Sequence, residues 1–513
     1  PNGLGRDGHM RAADTINHPF DAEARTELDV AWAAYRIAEL APGGKLNDAR
    51  TAKTAALQRA RALLAPAEQF MHDRMAPTVA IAAAVWHVVL MAFMACLMQW
   101  PDHHVAQRFY DGCRIVEKVP RTNIYRPARS KTPAVPLAEY LAENDLSLYE
   151  TKCQMGEDTA EIHDTLMDEI PAGFGTEPQP AAHWDALYGR AGWRGLVRWM
   201  HEQPNGKRRP IDDAKWGGQN AATAVFEKLH CISIDFPVNA LKCLYTMIGL
   251  FFPDLWRHLP PEMLQPVLGL DDQKDAYRGC PVHPDHLCAS LIAFRHKVTE
   301  VLLFMQLIAL MYGLLSAVYE YNAYPEFLVA YARRIGYCLS GHYFDDFPTV
   351  MLAIEEGSAQ QFLGDTQACL GNPFPEKKHL SAEEEQKCLG VYHDFSEVLT
   401  EGDAIIKPVP ERCQQLVVTS RAARTANSLT GGEAGKLRGR FGFVASTLMG
   451  RCGRGGSTAL EQRQRGLDAD VAPLLTAAVD LALRFIIAVV QVVPPRRISL
   501  LGPCRNTFHM WSN

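Results

Sequence analysis

Residues 336–354, GYCLSGHYFDDFPTVMLAI, set apolar runs on both sides of an adjacent acidic pair, Asp345 and Asp346. Such a pattern predicts a β-hairpin with carboxylates at its tip. A second short apolar run, Gln265 to Leu270, leads directly into Asp271 and Asp272. A hairpin tip can bring one of its acids beside the end of another strand. Carboxylates a few Å apart repel by roughly 4 kcal/mol per pair at an effective dielectric near 20. A cluster of that kind protonates, forms salt bridges or binds divalent metal. Oxygen-only donors favour Mg²⁺, whose shell is completed by water and substrate phosphates. Two such ions can activate a hydroxyl and stabilise a leaving pyrophosphate in an in-line displacement.

Composition sets wide bounds. The 513 residues can bury several cores, and 48% apolar with 21% charged content is ordinary for a globular protein. A formal charge of −6 does not advertise a nucleic-acid binder, although grooves depend on local charge. Thirteen cysteines without a CxxC pair read as reduced thiols, hence an intracellular protein, nuclear location included, and not a secreted one. The chain begins PNGLGRDG rather than with Met, so a preceding segment, with any targeting signal, is expected.

Two apolar stretches are long. Residues 78–100, TVAIAAAVWHVVLMAFMACLMQW, read as one buried helix ended by the Pro101-Asp102 turn, with a membrane span as the alternative. Neither flank carries a clear cluster of anchoring charge, so a membrane is disfavoured as a partner. Residues 301–318 are similar but broken by Gln306.

The first 75 residues read as helical, with ARTELDVAWAAYRIAELA running to a PGG stop. A proline-rich basic passage at 119–136 reads as a connector or extended arm. From about 205 to 395 the pattern is mixed α/β. Beyond 400 it turns helical. There Thr430 and Glu433 make a capping box, and Ala434, Leu437, Phe441, Val444, Ala445 and Leu448 share one helical face. Residues 407–466 hold eleven Lys/Arg against three acids, a local charge of +8 that suits either a phosphate backbone or a solvated helical face. Cys280, His283, His286 and Cys288 have zinc-like spacing, but the stretch is better read as the continuation of the acidic segment before it.

The ordered set of acidic motifs resembles that of reverse transcriptases. Asp272-Gln273-Lys274-Asp275-Ala276-Tyr277 looks like motif A, LMYGLLSAVYEYN at 310–322 like motif B, and Tyr343-Phe344-Asp345-Asp346 like the Y-x-D-D of motif C. Gly313 and Asp345 follow Asp272 by 41 and 73 residues. GKRRPIDDAKWGGQN at 206–220 looks like the fingers strand, PEKKHL at 375–380 like motif D, and LGVYHDFS at 389–396 like the primer grip. Met311-Tyr312 stands where Pro-Phe is commoner, and Gln273 where Leu is usual; neither removes a group the reaction needs.

The resemblance implies an α+β right-hand polymerase. Residues 1–150 would form a mainly helical N-terminal extension of unknown role. Fingers and palm would span 160–400, a helical thumb or connection region 401–500, and a tail 501–513. By the same resemblance Asp272, Asp345 and Asp346 are catalytic and hold two Mg²⁺. Lys207, Arg209 and Lys378 (or Lys377) contact the triphosphate. The backbone at Asp275 and Ala276 faces the nucleotide, as do Tyr312 and Gly313, whose missing side chain lets backbone approach it. Tyr277 is the gate that excludes a 2′-hydroxyl, and Leu389 and Gly390 centre the primer grip. The implied activity is RNA-directed DNA polymerisation in a retrotransposon, with template–primer nucleic acid and deoxynucleoside triphosphates as partners. Two alternatives are a catalytically inactive nucleic-acid-binding relic and a membrane protein anchored by 78–100. Retroelement class and oligomeric state are not written in the sequence.

Overall fold

The computed structural model describes residues 24–203, 206–451, 453–468 and 472–500; the opening PNGLGRDG and the expected 501–513 tail lie outside the described residues. Among the described residues, helix and strand are mixed between residues 117 and 408, with helices alone before that and mainly helices after it. The N-terminal region opens with helices α1 (Ala24–Leu40) and α2 (Lys45–His72), separated by a turn in which Gly44 takes φ +71. Ala33, Ala34, Ile37 and Ala38 form the buried stripe of α1, at the helical spacing that an apolar face requires.

Residues 78–100 are not one helix. A short helix, Pro77–Ala82, gives way at 83–87 before α3 (Val88–Leu97) begins. The break is made by long-range bonds. The Glu68 carboxylate accepts from the N–H groups of Val89 and Leu90 at 2.6 and 2.9 Å, and so caps α3 from outside. Trp86 Nε1 donates to Gly279 O at 2.8 Å, and His87 N to Leu370 O at 3.0 Å. Among the described residues no helix is long and apolar enough to cross a membrane, so the anchored alternative loses its span. The other apolar stretch, 301–318, divides between a strand and the start of a helix.

Strands β1 (Gly195–Glu202) and β2 (Arg208–Asp212) form a hairpin with Arg198 opposite Asp212. Helix α4 (Phe236–Phe251) precedes β3 (Pro266–Asp272). Strand β4 (Leu291–Arg295) runs parallel to β1 and pairs with antiparallel β5 (Leu302–Gln306), giving a first sheet of order β2-β1-β4-β5. Helix α5 (Leu315–Arg334) is buried along most of its length. Next come β6 (Leu339–Ser340), β7 (Asp346–Leu352), α6 (Ser358–Cys369) and β8 (Leu380–Glu383), which complete a central sheet of order β6-β7-β3-β8. A third sheet follows from β9 (Glu385–Cys388), β10 (Val391–Asp394) and β11 (Asp403–Pro408). After helices α7 (Pro410–Thr425), α8 (Gly431–Ala445), α9 (Arg454–Gln464) and α10 (Ala477–Val492), the chain returns as β12 (Arg496–Ser499) to the edge of that third sheet.

The central sheet is buried on both faces, because successive side chains of a strand point to opposite sides. Phe347 and Met351 enter a core shared with α3, α5 and α6, while Val350, Leu352 and Leu268 enter a second core with α1 and α4. The C-terminal helices have their own core around Leu437, Phe441, Leu483 and Ile486, with the Thr430–Glu433 capping box in place at the start of α8.

Candidate active site

The last residues of β3 and the first of β7 meet at one end of the central sheet. Asp272 is the register partner of Asp346, so strand geometry puts their side chains on one face, with Cβ atoms about 4.5–5.5 Å apart. Asp345 lies in the two-residue turn between Tyr343 and Asp346, whose backbones bond each other at 2.9 and 3.2 Å. Phe344 takes φ +57 there, a left-handed conformation that costs a bulky residue about 1 kcal/mol or more. The Gln273 N–H donates to Asp345 O at 2.8 Å, which ties the turn to the end of β3. The neighbouring Asp271 points the other way and is buried, its Oδ1 at 2.7 Å from His379 Nδ1.

Electrostatics mark the three acids as a set. Burial, then the charges of Asp345 and Asp272, push Asp346 up to about 6. Burial and the Asp272 charge also push Asp345 up, and the charges of Lys378 and Arg209 pull against that. Lys378, on the turn before β8, is paired with the Asp272 carboxylate. Among the described residues no three or more His, Cys, Asp or Glu side chains are grouped closely enough to hold a metal ion as they stand. The donor chemistry nevertheless fits one: an oxygen-only set, two of whose members are held toward protonation by burial and by neighbouring carboxylates.

Around the acids stand aromatic rings. Tyr277 packs at 5.7 Å from Tyr312 and 5.1 Å from Tyr321, and burial followed by the Asp345 charge raises its hydroxyl above the usual range. Tyr321 Oη donates to Gln273 Oε1 at 2.9 Å. Asp275 opens the turn before Tyr277 with φ +56, and Ala276 packs against the first core. Arg209 faces away from Arg208, which binds Asp158 and Glu161. Lys207 sits just before β2, in the connection to β1.

Gly313 has a neighbour inside the protein. At φ +99 its backbone passes so close to β2 that a Cβ would lie 2.2 Å from Asp212 O. Asn220, which sequence reasoning missed, clamps the same segment: its Nδ2 donates to Gly313 O at 3.0 Å and its Oδ1 accepts from Leu315 N at 2.7 Å. Also unforeseen is a buried charge network. Arg198 donates to Asp212 at 2.7 Å and to Glu169 at 3.0 Å; Arg278 donates to Glu169 at 2.7 Å and to Leu310 O at 2.7 Å, with its guanidinium 4.8 Å from the Tyr312 ring. It joins the first sheet to the segments carrying Tyr277 and Tyr312.

Leu389 and Gly390 form the two-residue turn between β9 and β10, with φ +51 and +75. Burial, with a smaller part from the Asp346 charge, raises the Cys388 thiol beside this turn. A groove of about 530 Å³ lies between Gln203 at the end of β1 and Arg412, Gln415, Arg440 and Phe443 of α7 and α8. Other cations of the basic segment are used within the helical region. Arg424 pairs with Asp480 at 2.6 Å, Arg438 with Glu461 at 3.0 Å, and Arg463 with Asp468 at 2.6 Å.

No protein-family model matches the chain, and no curated protein matches it in sequence. Two solved structures align with it at 12% identity: a foamy viral protease-reverse transcriptase dRH in complex with double-stranded DNA, at a TM-score of 0.43, and a foamy viral protease-reverse transcriptase with double-stranded DNA, at 0.44. The alignments cover 78% and 76% of this chain, and 60% and 68% of those. The chain thus spans less than two thirds of the first of them.

Proposed function

We propose that the chain is an RNA-directed DNA polymerase of a retrotransposon, which adds deoxynucleotides to a primer 3′-end by two-metal phosphoryl transfer. The observation that carries this reading is the register of Asp272 against Asp346, with Asp345 held on the adjoining turn by Gln273. On this reading the first sheet serves as fingers, the central sheet as palm and α7–α10 as thumb.

Asp272, Asp345 and Asp346 would hold two Mg²⁺, which supply charge neutralisation and lower the pKa of the attacking hydroxyl when bound. Lys207 and Arg209 bind the triphosphate, because a polyphosphate needs pointed and forked cations as well as metal. Lys378 supplies positive charge at the same end of β3. Asp275 and Ala276 offer backbone to the nucleotide, and Tyr277, packed between Tyr312 and Tyr321, excludes a ribose 2′-hydroxyl. Leu389 and Gly390 position the primer end. The groove bounded by Arg412 and Arg440 takes the template–primer backbone.

Primer extension with Mg²⁺ and deoxynucleotides tests the reading. Incorporation is expected from the intact chain and lost in Asp345→Ala, while Tyr277→Ala admits ribonucleotides. An intact chain that binds template–primer yet extends it on neither RNA nor DNA leaves only the inactive relic.

A further inference from the structure

A second concave site lies outside the acidic cluster. A cavity of about 610 Å³ opens between residues 104–123, His283 and the Glu320 turn of α5. Its walls are fixed by backbone: Cys113 N donates to Pro281 O at 2.7 Å and His283 N to Cys113 O at 2.9 Å. Gly112 takes φ +88, and a Cβ there would lie 2.6 Å from His283 N and Val282 C, so the position admits no side chain.

The lining is cationic. Arg114, Lys118 and Arg121 stand at the mouth, and buried Arg108 forms the inner wall. The nearby acids all accept hydrogen bonds or form ion pairs, although Asp111 bonds a neutral amide and keeps its charge. Glu320 and Asp102 each accept from Arg108 at 2.6 Å, Asp111 accepts from Gln107 at 2.7 Å, and Glu117 lies 3.4 Å from Arg114. Lys118 and Arg121 have no carboxylate partner among the described residues; both stand over the Phe226 ring, at 5.5 and 5.8 Å from its centre. Arg108 Nη2, itself buried, makes no hydrogen bond among the described residues. Two mouth cations without a carboxylate partner, with Arg114 and Asn123 beside them in the lining, call for an anion with several acceptor oxygens. Among the described residues the lining holds no Phe, Tyr or Trp, and the Phe226 ring is already covered by Lys118 and Arg121, so phosphate oxygens rather than a base are the groups the lining addresses. The size suits a small ligand.

We propose that this cavity binds a compact oligophosphate, either free or as the triphosphate tail of a nucleotide, through Lys118, Arg121 and Arg114. The site is separate from the proposed polymerase centre, and its existence does not depend on that activity.

Isothermal titration of the full chain with sodium tripolyphosphate, ATP, AMP and a single-stranded 20-mer tests the proposal. Tripolyphosphate is expected to bind the intact chain and Asp345→Ala alike, and at least tenfold more weakly to Lys118→Ala/Arg121→Ala, with primer extension unchanged in the double variant. The single variant Lys118→Gln checks that the loss follows charge, and circular dichroism that the fold is kept. ATP binding as well as tripolyphosphate, with AMP tenfold weaker, assigns the nucleotide tail; tripolyphosphate binding alone assigns the free ion. Equal tripolyphosphate affinity in the intact chain and the double variant overturns the proposal. So does a 20-mer that binds tenfold tighter than tripolyphosphate and loses that affinity in the double variant, since the cavity would then be part of a strand-binding groove.

Discussion

Of the three acids at the end of the central sheet, Asp346 carries the largest energetic signature. Its carboxyl titrates near 6 in the folded chain against an ordinary 3.8, because burial and two neighbouring carboxylates oppose its ionisation. The folded state therefore holds this proton more tightly than the unfolded chain does. The group's contribution to stability is fully present below about pH 4 and is lost as pH rises through about 6. Asp346→Asn keeps the shape without the charge. After discounting for its partial exposure, we expect the variant to be more stable than the parent by ~1–2 kcal/mol at pH 7 and equal to it near pH 4. Denaturant unfolding at the two pH values measures this, and a difference independent of pH would show that repulsion is not its source. A related outcome concerns metal. If the three acids hold Mg²⁺, millimolar Mg²⁺ raises the melting temperature of the intact chain but not of Asp272→Ala, and the rise shrinks below pH ~6 as Asp346 takes its proton. A shift of equal size in both proteins would place the ion elsewhere.

At the scale of elements, positive-φ positions do much of the aiming. Gly313 takes φ +99 against Asp212 O, and its own carbonyl and the Leu315 N–H are held by Asn220. Gly313→Ala forces a Cβ into that carbonyl and should cost at least ~2 kcal/mol in unfolding free energy. Because the start of α5 would shift with it, extension rates should fall as well; unchanged stability would mean that the close approach is not enforced. The Leu389-Gly390 turn makes a different case. Both residues have positive φ, where Asn-Gly is the preferred pair, so Leu389→Asn should stabilise the fold by ~0.5–1 kcal/mol by chemical denaturation, with loss of primer positioning if Leu389 is the contact that matters. A destabilised Leu389→Asn would show that the partial packing of Leu389 on the second core outweighs its backbone strain. These elements also show what could be read from sequence. The 336–354 hairpin and the strand ending at Asp272 were legible, because alternation and a polar break are local signals. The interruption at 83–87 was not: AAVWH holds neither Gly nor Pro, and the break is imposed by Glu68, Gly279 and Leu370. The network of Glu169, Arg198, Asp212 and Arg278 was equally hidden, since it joins residues up to 109 positions apart with no motif to announce them.

Across the whole molecule, the N-terminal helices are part of what holds the acidic hairpin. The sequence offered no role for them, because their contacts are made with residues nearly 300 positions away. Arg50 of α2 is 2% exposed and spends its guanidinium on the base of that hairpin. It donates to Gly336 O at 2.9 Å, to Tyr337 O at 2.6 Å and to Ser358 Oγ at 2.8 Å, and it pairs with Glu355 at 2.8 Å. Glu355 in turn accepts from Leu352 N at 2.9 Å, where β7 ends. Helix α1 adds Asp29, which binds Arg334 at 2.9 Å, and Ala38 O, which accepts from Trp256 at 2.8 Å. One end of β6–β7 is therefore fixed by α2 while the other presents Asp345 and Asp346. Removing Arg50 alone would leave Glu355 buried without its cation, so Arg50→Met should lose ~3–5 kcal/mol of stability. Adding Glu355→Gln removes the stranded charge, and the double variant should recover most of that loss. If the hairpin's aim depends on this staple, extension activity should stay reduced in the double variant even where stability returns, because the carbonyls of Gly336 and Tyr337 remain unheld. A double variant with both stability and activity restored would show that the staple acts through charge balance alone, and that the hairpin is aimed by the central sheet without help from α2.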